Sequence, residues 1–197
     1  MEVRALSIPG AWAISPQLHT DARGTFLEWF TDSDFSAFAG HRFDLRQANC
    51  SVSAAGVLRG LHFSESPPGQ AKYLTCVRGS VFDVVVDIRV GSPTFGRWDA
   101  MLLHAQDRGA VYISAGLAHG FLALQDETTV IYLCSTPYDP DREHAISATD
   151  PALGIEWPAV DELQRSARDA AAPTLEQVHA SGVLPVWNET GGSGPAR

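Results

Sequence analysis

His62 and Lys72 are the residues of this sequence whose types and spacing most directly suggest chemistry. His62 lies in the segment RGLHF, three positions after Arg59, and Lys72, the only lysine among 197 residues, follows the segment SESPPGQ. A histidine among apolar residues is more often a hydrogen-bonded core residue, but cations beside an imidazole disfavour its charged form and attract anions. We therefore interpret residues 56–74 as part of a functional site that combines an imidazole with positive charge.

Two further candidates, His119 and Tyr132, lie in short apolar segments later in the chain. His119 occurs in ISAGLAHGF, between two predicted strands, and could instead be a turn residue that bonds only to the backbone. Tyr132 occurs in TTVIYLCS on the same face as Val130 and Cys134, where an aromatic side chain usually fills the core. The sequence leaves both interpretations open for each residue.

Two carboxylates could orient a histidine base. Glu28 lies in DARGTFLEWF, and Asp169 lies in RSARDAAAPTL. A carboxylate that accepts a hydrogen bond from an imidazole fixes both its tautomer and its orientation. Separation along the sequence does not choose between the two.

A metal centre would be a different use of the same histidines. Metal sites in small β-barrels typically combine three histidine nitrogens with a carboxylate. His62 stands alone in its motif, because Phe63 and Ser64 follow where a second histidine would be needed. We predict no metal and no other cofactor.

The acidic composition argues against two classes of partner. The formal charge is −9 and the pI is near 5.1, whereas nucleic acids and anionic membranes require a basic face. The N-terminus lacks a basic region followed by an apolar run, and no segment reaches the length of a membrane span, so we expect a cytoplasmic protein. The three cysteines show neither CxxC nor zinc spacing and are interpreted as reduced thiols.

Short strands must position these side chains. In SVFDVVVDIRV, Phe82, Val84 and Val86 share one face while Asp83 and Asp87 lie on the other, which predicts a half-buried strand. Similar short segments occur at even spacing before and after it, namely KYLTCV before it and WDAML, AVYIS, FLAL and TTVIYLCS after it. This pattern predicts an all-β sandwich or barrel in the form of a jelly roll.

Helices are few, and the chain length fits one domain. The segment DSDFSAFAG, residues 32–40, predicts a short helix, and residues 161–172 have helical propensity. The SESPPGQ loop is expected to join two adjacent strands. We predict a single domain over residues 1–180, with a C-terminal extension over residues 181–197 whose end, ETGGSGPAR, has the composition of a mobile tail.

Several motifs in order resemble the dTDP-4-dehydrorhamnose 3,5-epimerases and their relatives in deoxysugar pathways. They span roughly residues 3–175 and are DARGTFLEWF, QANCSVSAAGVLRGLHF, QAKYLTCVRGSVFDVVVDIRVGSPTFGRW, AGLAHGFLAL, YDPDREHAI and DPALGIEWP. The resemblance implies a cupin-type jelly roll, a homodimer and no metal. It also implies a substrate, a thymidine diphosphate sugar that carries a ketone at C4.

The resemblance further implies roles for residues at matching positions. His62 would be the general base, with its imidazole held by Asp169; Lys72 would face the C4 oxygen. Tyr132 would be the general acid on the opposite side of the sugar ring. The residues that would contact substrate are Arg59, His119, Gln47, Asn49 and Tyr138, together with Arg23, Phe26 and Glu28 on a segment reaching the nucleotide across a dimer interface.

The chemistry of a 4-keto sugar is consistent with these roles. Removing the proton beside the ketone gives an enolate, whose charge collects on the ketone oxygen. A compact ammonium suits that single oxygen better than a planar guanidinium does. Inversion then needs reprotonation from the opposite face, which requires a base and an acid on opposing walls. The predicted function is cofactor-independent epimerisation at C3, C5 or both.

Three alternatives remain open. A 3,4-ketoisomerase would move the carbonyl of the same nucleotide sugar, and a metal-dependent cupin oxygenase would contain a transition metal. A non-catalytic binding module would hold the nucleotide sugar without exchanging its protons. The pairing of RGLHF with AHGF favours the epimerase.

Overall fold

The fold consists mainly of short strands, as seen in a computed structural model that describes residues 1–187. The strands are β1 (Glu2–Ala5), β2 (Ala11–Ser15), β3 (His19–Asp21), β4 (Gly24–Phe26), β5 (Gln47–Ser53), β6 (Leu58–Ser64), β7 (Lys72–Arg78), β8 (Ser80–Asp87), β9 (Trp98–His104), β10 (Ala110–Ile113), β11 (Leu117–Ala123), β12 (Thr128–Cys134) and β13 (Glu143–Ala145). The helices are α1 (Asp32–Ala39), α2 (Ala167–Ala170) and α3 (Leu175–Ser181). None of these helices has the length and apolar character needed to cross a membrane.

Two antiparallel sheets form a cupin-type jelly roll, which confirms the predicted fold class. The six-stranded sheet has the order β1-β2-β10-β7-β12-β5, and the five-stranded sheet has the order β13-β6-β11-β8-β9. Strands β3 and β4 form a separate hairpin. Apart from the pairs β1–β2 and β8–β9, neighbouring strands in the two sheets are not consecutive in sequence, so residues far apart along the chain meet between the sheets.

The connection from β6 to β7 differs from the prediction. Because β6 lies in the five-stranded sheet and β7 in the six-stranded sheet, the SESPPGQ segment crosses from one sheet to the other. The expectation that it joins adjacent strands is therefore wrong. His62 and Lys72 consequently stand on facing sheets instead of side by side in one sheet.

Apolar side chains from both sheets fill the interior between them. The inner core includes Leu74 and Val130 from the six-stranded sheet and Val85 and Phe121 from the five-stranded sheet. Inward and outward residues alternate along each strand, so each sheet contributes every second residue to this core. Leu74, Phe121 and Val130 also line the cavity described below, so the core forms part of its wall.

Strand β8 is buried on both faces, so the prediction of a half-buried strand is wrong. Val81 and Val85 face the inner core, while Val84 and Val86 pack into a second core on the outer side of the five-stranded sheet. The C-terminal part of the chain covers that outer side, with Leu153, Leu175, Val178 and Leu184 in the second core. Alternation along one strand does not show that a later segment covers its second face.

Helix α1 confirms the prediction for residues 32–40. The Thr31 side chain accepts a hydrogen bond from the Asp34 backbone N–H at 3.2 Å and caps the start of the helix, and Gly40 ends it with φ +75°. The helix buries Phe35 in an aromatic cluster against Tyr73 and Tyr112 on the outer face of the six-stranded sheet. Of residues 161–172, only α2 is helical.

Residues 183–187 pack against the domain. Val186 forms a parallel bridge with Val90, and the Arg89 guanidinium carbon lies 4.3 Å from the centre of the Trp187 ring. Arg89 also binds both carboxylate oxygens of buried Asp87, at 2.8 and 2.7 Å, and donates to the Pro9 carbonyl at 2.8 Å. The segment ETGGSGPAR, predicted to be a mobile tail, lies outside the described residues.

Candidate active site

A cavity of about 300 Å³ opens between the two sheets. Six of the twelve predicted site residues line it, namely Arg59, His62, Lys72, His119, Tyr132 and Asp169. The other lining residues are Ser51, Leu74, Phe121, Val130, Ser166 and Arg168. The fold thus gathers residues from β5, β6, β7, β11 and β12, and from the start of α2, around one space.

Asp169, and not Glu28, holds the His62 imidazole. The His62 Nε2 atom lies 2.6 Å from Asp169 Oδ1, and the Asp169 side chain is only 5 % exposed. Ser166 caps α2 by accepting a hydrogen bond from the Asp169 backbone N–H at 3.0 Å, which fixes the aspartate in place. Glu28 lies on an exposed segment after β4. A carboxylate at Nε2 favours the tautomer with its proton on that nitrogen, which leaves Nδ1 able to accept a proton.

Burial keeps the His62 imidazole neutral. It lowers the pKa of His62 below 6.5; the hydrogen bond and the charge of Asp169 oppose this shift, while the positive charges of Lys72 and Arg168 reinforce it. The net direction is downward, so the imidazole is mostly unprotonated at pH 7. That is the protonation state a base requires.

Lys72 presents its ammonium to the cavity from the first residue of β7. Its side chain is buried, and within residues 1–187 the ammonium has neither a hydrogen bond nor an ion pair at contact distance. Burial lowers the pKa of Lys72, and the negative charges of Glu143 and Asp83 act in the opposite direction. A buried cation without a direct partner is costly, which is consistent with a ligand that supplies the missing negative charge.

Tyr132 stands on the sheet opposite His62. In the six-stranded sheet it lies between Asn49 of β5 and Leu74 of β7. Burial raises the pKa of Tyr132, so the phenol keeps its proton at neutral pH. The imidazole of His62 and the phenol of Tyr132 therefore face the cavity from opposite walls. The imidazole can accept a proton, and the phenol can donate one.

His119 lies within β11 and forms a second histidine–carboxylate pair. Its Nε2 atom is 2.8 Å from Asp83 Oδ2, and both side chains are buried. His119 is paired with His62 in the ladder between β11 and β6. The alternative interpretation of His119 as a turn residue bonded to the backbone is therefore wrong.

Gly60 allows the close approach of β6 and β11 that brings the two histidines together. Its φ is +115°, and a Cβ atom at this position would lie 2.6 Å from the Gly120 Cα atom and 2.7 Å from the His119 carbonyl oxygen. Only glycine meets both constraints without displacing backbone. The Gly60 backbone N–H also points to Asp169 Oδ2, at 3.5 Å.

The other six predicted residues lie outside the cavity lining. Gln47 and Asn49 lie on β5 and hydrogen-bond to each other, and the Tyr138 backbone N–H donates to Gln47 Oε1 at 2.9 Å. Tyr138 itself is exposed and lines a neighbouring cavity of about 380 Å³. Arg23, Phe26 and Glu28 are exposed on the β3–β4 hairpin and the segment that follows it.

Sequence reasoning missed the supporting residues Ser166, Arg168, Asp83 and Glu143. Ser166 could have been found, because a serine three positions before an acidic residue is a helix-start signal. Asp83 gave no such signal, since its role depends on the pairing of β8 with β11. Arg168 and Glu143 are linked by a hydrogen bond from the arginine Nη2 to the glutamate backbone carbonyl at 2.7 Å, which a linear sequence does not reveal.

No three side chains of the types that commonly bind metals converge within residues 1–187. His62 and His119 each use Nε2 to bond to a carboxylate. The site visible in this part of the chain consists of two histidine–carboxylate pairs, a buried ammonium and a protonated phenol. The chain is thus a protein with a cupin-type jelly roll whose cavity contains the side chains that acid–base chemistry requires.

Comparisons with known proteins narrow the class to one family. The family model described as dTDP-4-dehydrorhamnose 3,5-epimerase matches residues 5–177. A dTDP-4-dehydrorhamnose 3,5-epimerase of Mycobacterium tuberculosis is 65% identical over 192 residues, covering 96% of this chain and 95% of the relative. The chain belongs to the dTDP-4-dehydrorhamnose 3,5-epimerase family, and it is an epimerase.

Solved structures agree with this assignment. The epimerase structure from Mycobacterium tuberculosis superposes with a TM-score of 0.95 at 65% identity, covering 96% of each chain. A 3'-monoepimerase from Streptomyces bikiniensis, in complex with dTDP-quinovose, superposes with a TM-score of 0.89 at 51% identity and covers 92% of this chain and 91% of the other. The resemblance inferred from the motifs is therefore confirmed.

Proposed function

We propose that this enzyme inverts C3, C5 or both in a dTDP-4-keto-6-deoxyhexose, without a cofactor. The observation that carries the proposal is the placement of His62 and Tyr132 on facing sheets around one cavity, with the Lys72 ammonium between the same walls. Relatives named as 3,5-epimerases and a relative named as a 3'-monoepimerase share this fold, which supports the reaction class.

The reaction starts with proton removal beside the C4 ketone. His62 Nδ1 takes the proton, and the electron pair of the broken C–H bond forms a C=C bond while the carbonyl electrons move to the oxygen. Asp169 stabilises the resulting imidazolium through the bond at Nε2. Lys72 stabilises the enolate oxygen, for which a single donor in such a site contributes about 3–4 kcal/mol.

Reprotonation from the other wall completes the inversion. The Tyr132 hydroxyl gives its proton to the carbon on the face opposite His62, and the enolate electrons restore the ketone. A positioned acid or base typically contributes about 10² to 10⁴ in rate. Both groups have the protonation state that their role requires at neutral pH.

Arginines suit the diphosphate of the substrate. Arg59 lines the cavity and is held by hydrogen bonds to Ser53 Oγ at 3.1 Å and to the Val52 carbonyl at 3.3 Å. His119 and Arg168 line the same space. Guanidinium groups bind phosphate oxygens in a bidentate manner. The Streptomyces bikiniensis relative was crystallised with dTDP-quinovose, which supports a thymidine diphosphate sugar as the ligand class.

We also propose a homodimer in which each copy completes the site of the other. The β3–β4 hairpin carries Phe26 with 66% of its surface exposed, and the edge strand β5 exposes Val52 at 59%. An exposed apolar face beside an unpaired edge strand favours association. In this arrangement Arg23, Phe26 and Glu28 of one copy reach the nucleotide bound to the other.

The reduced thiols and the nucleotide-sugar substrate favour a cytoplasmic enzyme.

Proton NMR of dTDP-4-keto-6-deoxyglucose in heavy water tests the function. With wild-type enzyme we expect loss of the H3 signal, the H5 signal or both, together with appearance of the inverted sugar and an unchanged C4 ketone. A shifted ketone would instead show a 3,4-ketoisomerase. Retention of both signals would contradict the proposal, and undiminished deuterium uptake by a His62→Ala variant would remove His62 as the base.

A further inference from the structure

Gln47 and Asn49 form a chain of hydrogen bonds along β5 instead of presenting both amides to the cavity. The Tyr138 backbone N–H donates to Gln47 Oε1 at 2.9 Å, and Gln47 Nε2 donates to Asn49 Oδ1 at 2.8 Å. Asn49 Nδ2 then lies 3.6 Å from Cys134 Sγ, toward which it donates. Three consecutive bonds therefore run from the loop after β12 back to the middle of the β5–β12 ladder.

The first bond fixes the direction of all the others. A backbone N–H can only donate, so the Gln47 amide must turn its oxygen toward Tyr138 and its nitrogen toward Asn49. The Asn49 side chain must then accept the hydrogen bond from Gln47 with its amide oxygen. Its nitrogen, which carries two hydrogens, is left facing β12.

The donor at the end of this chain belongs to the residue that is paired with Tyr132. Asn49 is directly opposite Tyr132 in the ladder between β5 and β12, as Gln47 is opposite Cys134. Side chains paired in this way on one face of a sheet are in contact. Burial raises the pKa of Tyr132, and the charge of Arg59 and a hydrogen bond from the Asn49 side chain act in the opposite direction.

We propose that Gln47 and Asn49 are positioning residues that hold an N–H donor against the Tyr132 hydroxyl oxygen. The oxygen accepts from Asn49, so its own hydrogen points away from β5 and toward the sugar. This inference rests on the proposed role of Tyr132 as the general acid. It gives the two amides a function in the protonation step, beyond any contact that they make with the nucleotide.

The donor matters most after the proton has left. When the Tyr132 O–H bond breaks, its hydrogen forms the new C–H bond with the electron pair of the enolate C=C. The negative charge moves from the enolate oxygen beside Lys72 to the phenolate oxygen beside Asn49. A neutral N–H donor stabilises that phenolate without adding further positive charge beside the phenol, which would favour its ionisation beforehand.

Two substitutions reverse the polarity of the chain while nearly preserving its shape. Asn49→Asp replaces the terminal donor by an acceptor, which captures the Tyr132 hydrogen. Gln47→Glu acts one step further away, because its carboxylate forces the Asn49 amide to turn its oxygen toward Tyr132. Gln125→Glu, at an exposed position between β11 and β12, introduces the same charge outside the site and serves as the control.

The measurement follows deuterium exchange and inversion of the substrate in heavy water with each variant. His62 can remove a proton, exchange it for a deuteron from the heavy water and return the deuteron to the same face of the sugar. Hydrogen exchange therefore continues without a competent acid. We expect the ratio of inversion to exchange to fall about tenfold in Asn49→Asp and Gln47→Glu, given that a positioned acid contributes about 10² to 10⁴. Gln125→Glu should keep the wild-type ratio, and thermal melts show that each variant is folded.

The Tyr132→Phe variant separates this inference from the function on which it rests. It should exchange but not invert, and if it inverts normally, the acid role of Tyr132 is wrong. If Tyr132→Phe behaves as expected while the two amide variants lose exchange and inversion in equal proportion with a raised KM, the amides only bind substrate and the inference is overturned. An unchanged ratio in a folded Asn49→Asp variant overturns it as well.

Discussion

The basicity of His62 results from opposing influences on a single imidazole. Burial and two nearby cations disfavour its protonated form, while Asp169 favours it. The role of base proposed for His62 needs this balance, because an imidazole protonated at rest could not accept a proton and one with too low a pKa would be a weak base. The carboxylate therefore sets the pKa as well as the orientation.

Replacing Asp169 by asparagine should alter the pH profile in a defined direction. Asp169 raises the pKa of His62, so its removal lowers that pKa further below 6.5. The acidic limb of kcat/KM should therefore move to lower pH, while the maximal rate falls because the imidazolium loses its counter-charge. Rates measured from about pH 4 to 9 check this. An acidic limb that moves upward would contradict the assignment.

At the scale of elements, the site depends on strands β6 and β11 approaching more closely than side chains allow. Gly60 and Gly120 face each other where the ladder register shifts, immediately beside His62 and His119. The motif RGLHF contains Gly60, and a glycine within a strand often marks the close approach of another backbone. It could not show that the approaching backbone belongs to AHGF, because the contact joins segments some 60 residues apart.

A Gly60→Ala substitution should destabilise the protein by about 3 kcal/mol or more, because it combines a positive φ with a backbone clash. Activity at 25 °C should fall by more than the loss of folded protein explains, because the clash displaces His119. Urea unfolding and turnover assays measure the two effects. Gly91→Ala is the matched control, because Gly91 has φ +87° but open space around it, and it should cost only about 1 kcal/mol.

Local sequence patterns predicted most of the strands and α1. Two features, helix α3 and the burial of β8 on both faces, were not predicted. Helix α3 was not predicted, although Thr174 and Gln177 form a capping box and Gly182 follows the helix. Seven residues carry too little periodicity to be recognised. The double burial of β8 depends on the chain returning over the five-stranded sheet, which is a tertiary effect.

The candidate site was predicted only in part, for related reasons. His62, Lys72 and Tyr132 carry rare or reactive side chains, and the family motifs pointed to Asp169. The polarity of the Gln47 and Asn49 amides depends on a backbone donor in another loop. Side-chain identity alone therefore could not predict it.

At the scale of the whole molecule, one buried ion pair ties distant parts of the chain together. Arg89 joins Asp87 at the end of β8 to the Pro9 carbonyl near the N-terminus and packs on Trp187. Asp87 is fully buried and also accepts hydrogen bonds from Ser92 and Thr94. The Arg89–Asp87 pair thus connects the end of β8 with the N-terminal segment and with the segment that contains Trp187.

Arg89→Met should lower the free energy of unfolding by about 3–5 kcal/mol, because it leaves the buried Asp87 carboxylate without its counter-charge. Denaturant unfolding at neutral pH measures the loss. In the control Arg42→Met, the pair with Asp32 is solvent-exposed, and the change should be about 0–1 kcal/mol. Equal losses in the two variants would show that the buried pair has no special role.

The proposed homodimer gives a prediction for Val52. A Val52→Glu substitution places a charge on the exposed face of β5, so we expect a smaller sedimentation coefficient and reduced epimerase activity, because each cavity loses the hairpin of the other copy. Leu102→Glu, which charges an exposed position on β9, should leave both unchanged. A wild-type protein that sediments as an active monomer at micromolar concentration would refute the dimer.

The solitary lysine has a practical consequence for following the enzyme at work. Apart from the α-amino group at the N-terminus, Lys72 supplies the only primary amine of the chain, and burial lowers its pKa and so increases the neutral, reactive fraction. Reductive methylation with formaldehyde and a borohydride reductant can therefore mark each molecule at two amines, one of them inside the cavity. The mass of the intact chain then shows whether Lys72 was methylated, and therefore whether a bound nucleotide sugar protected its amine.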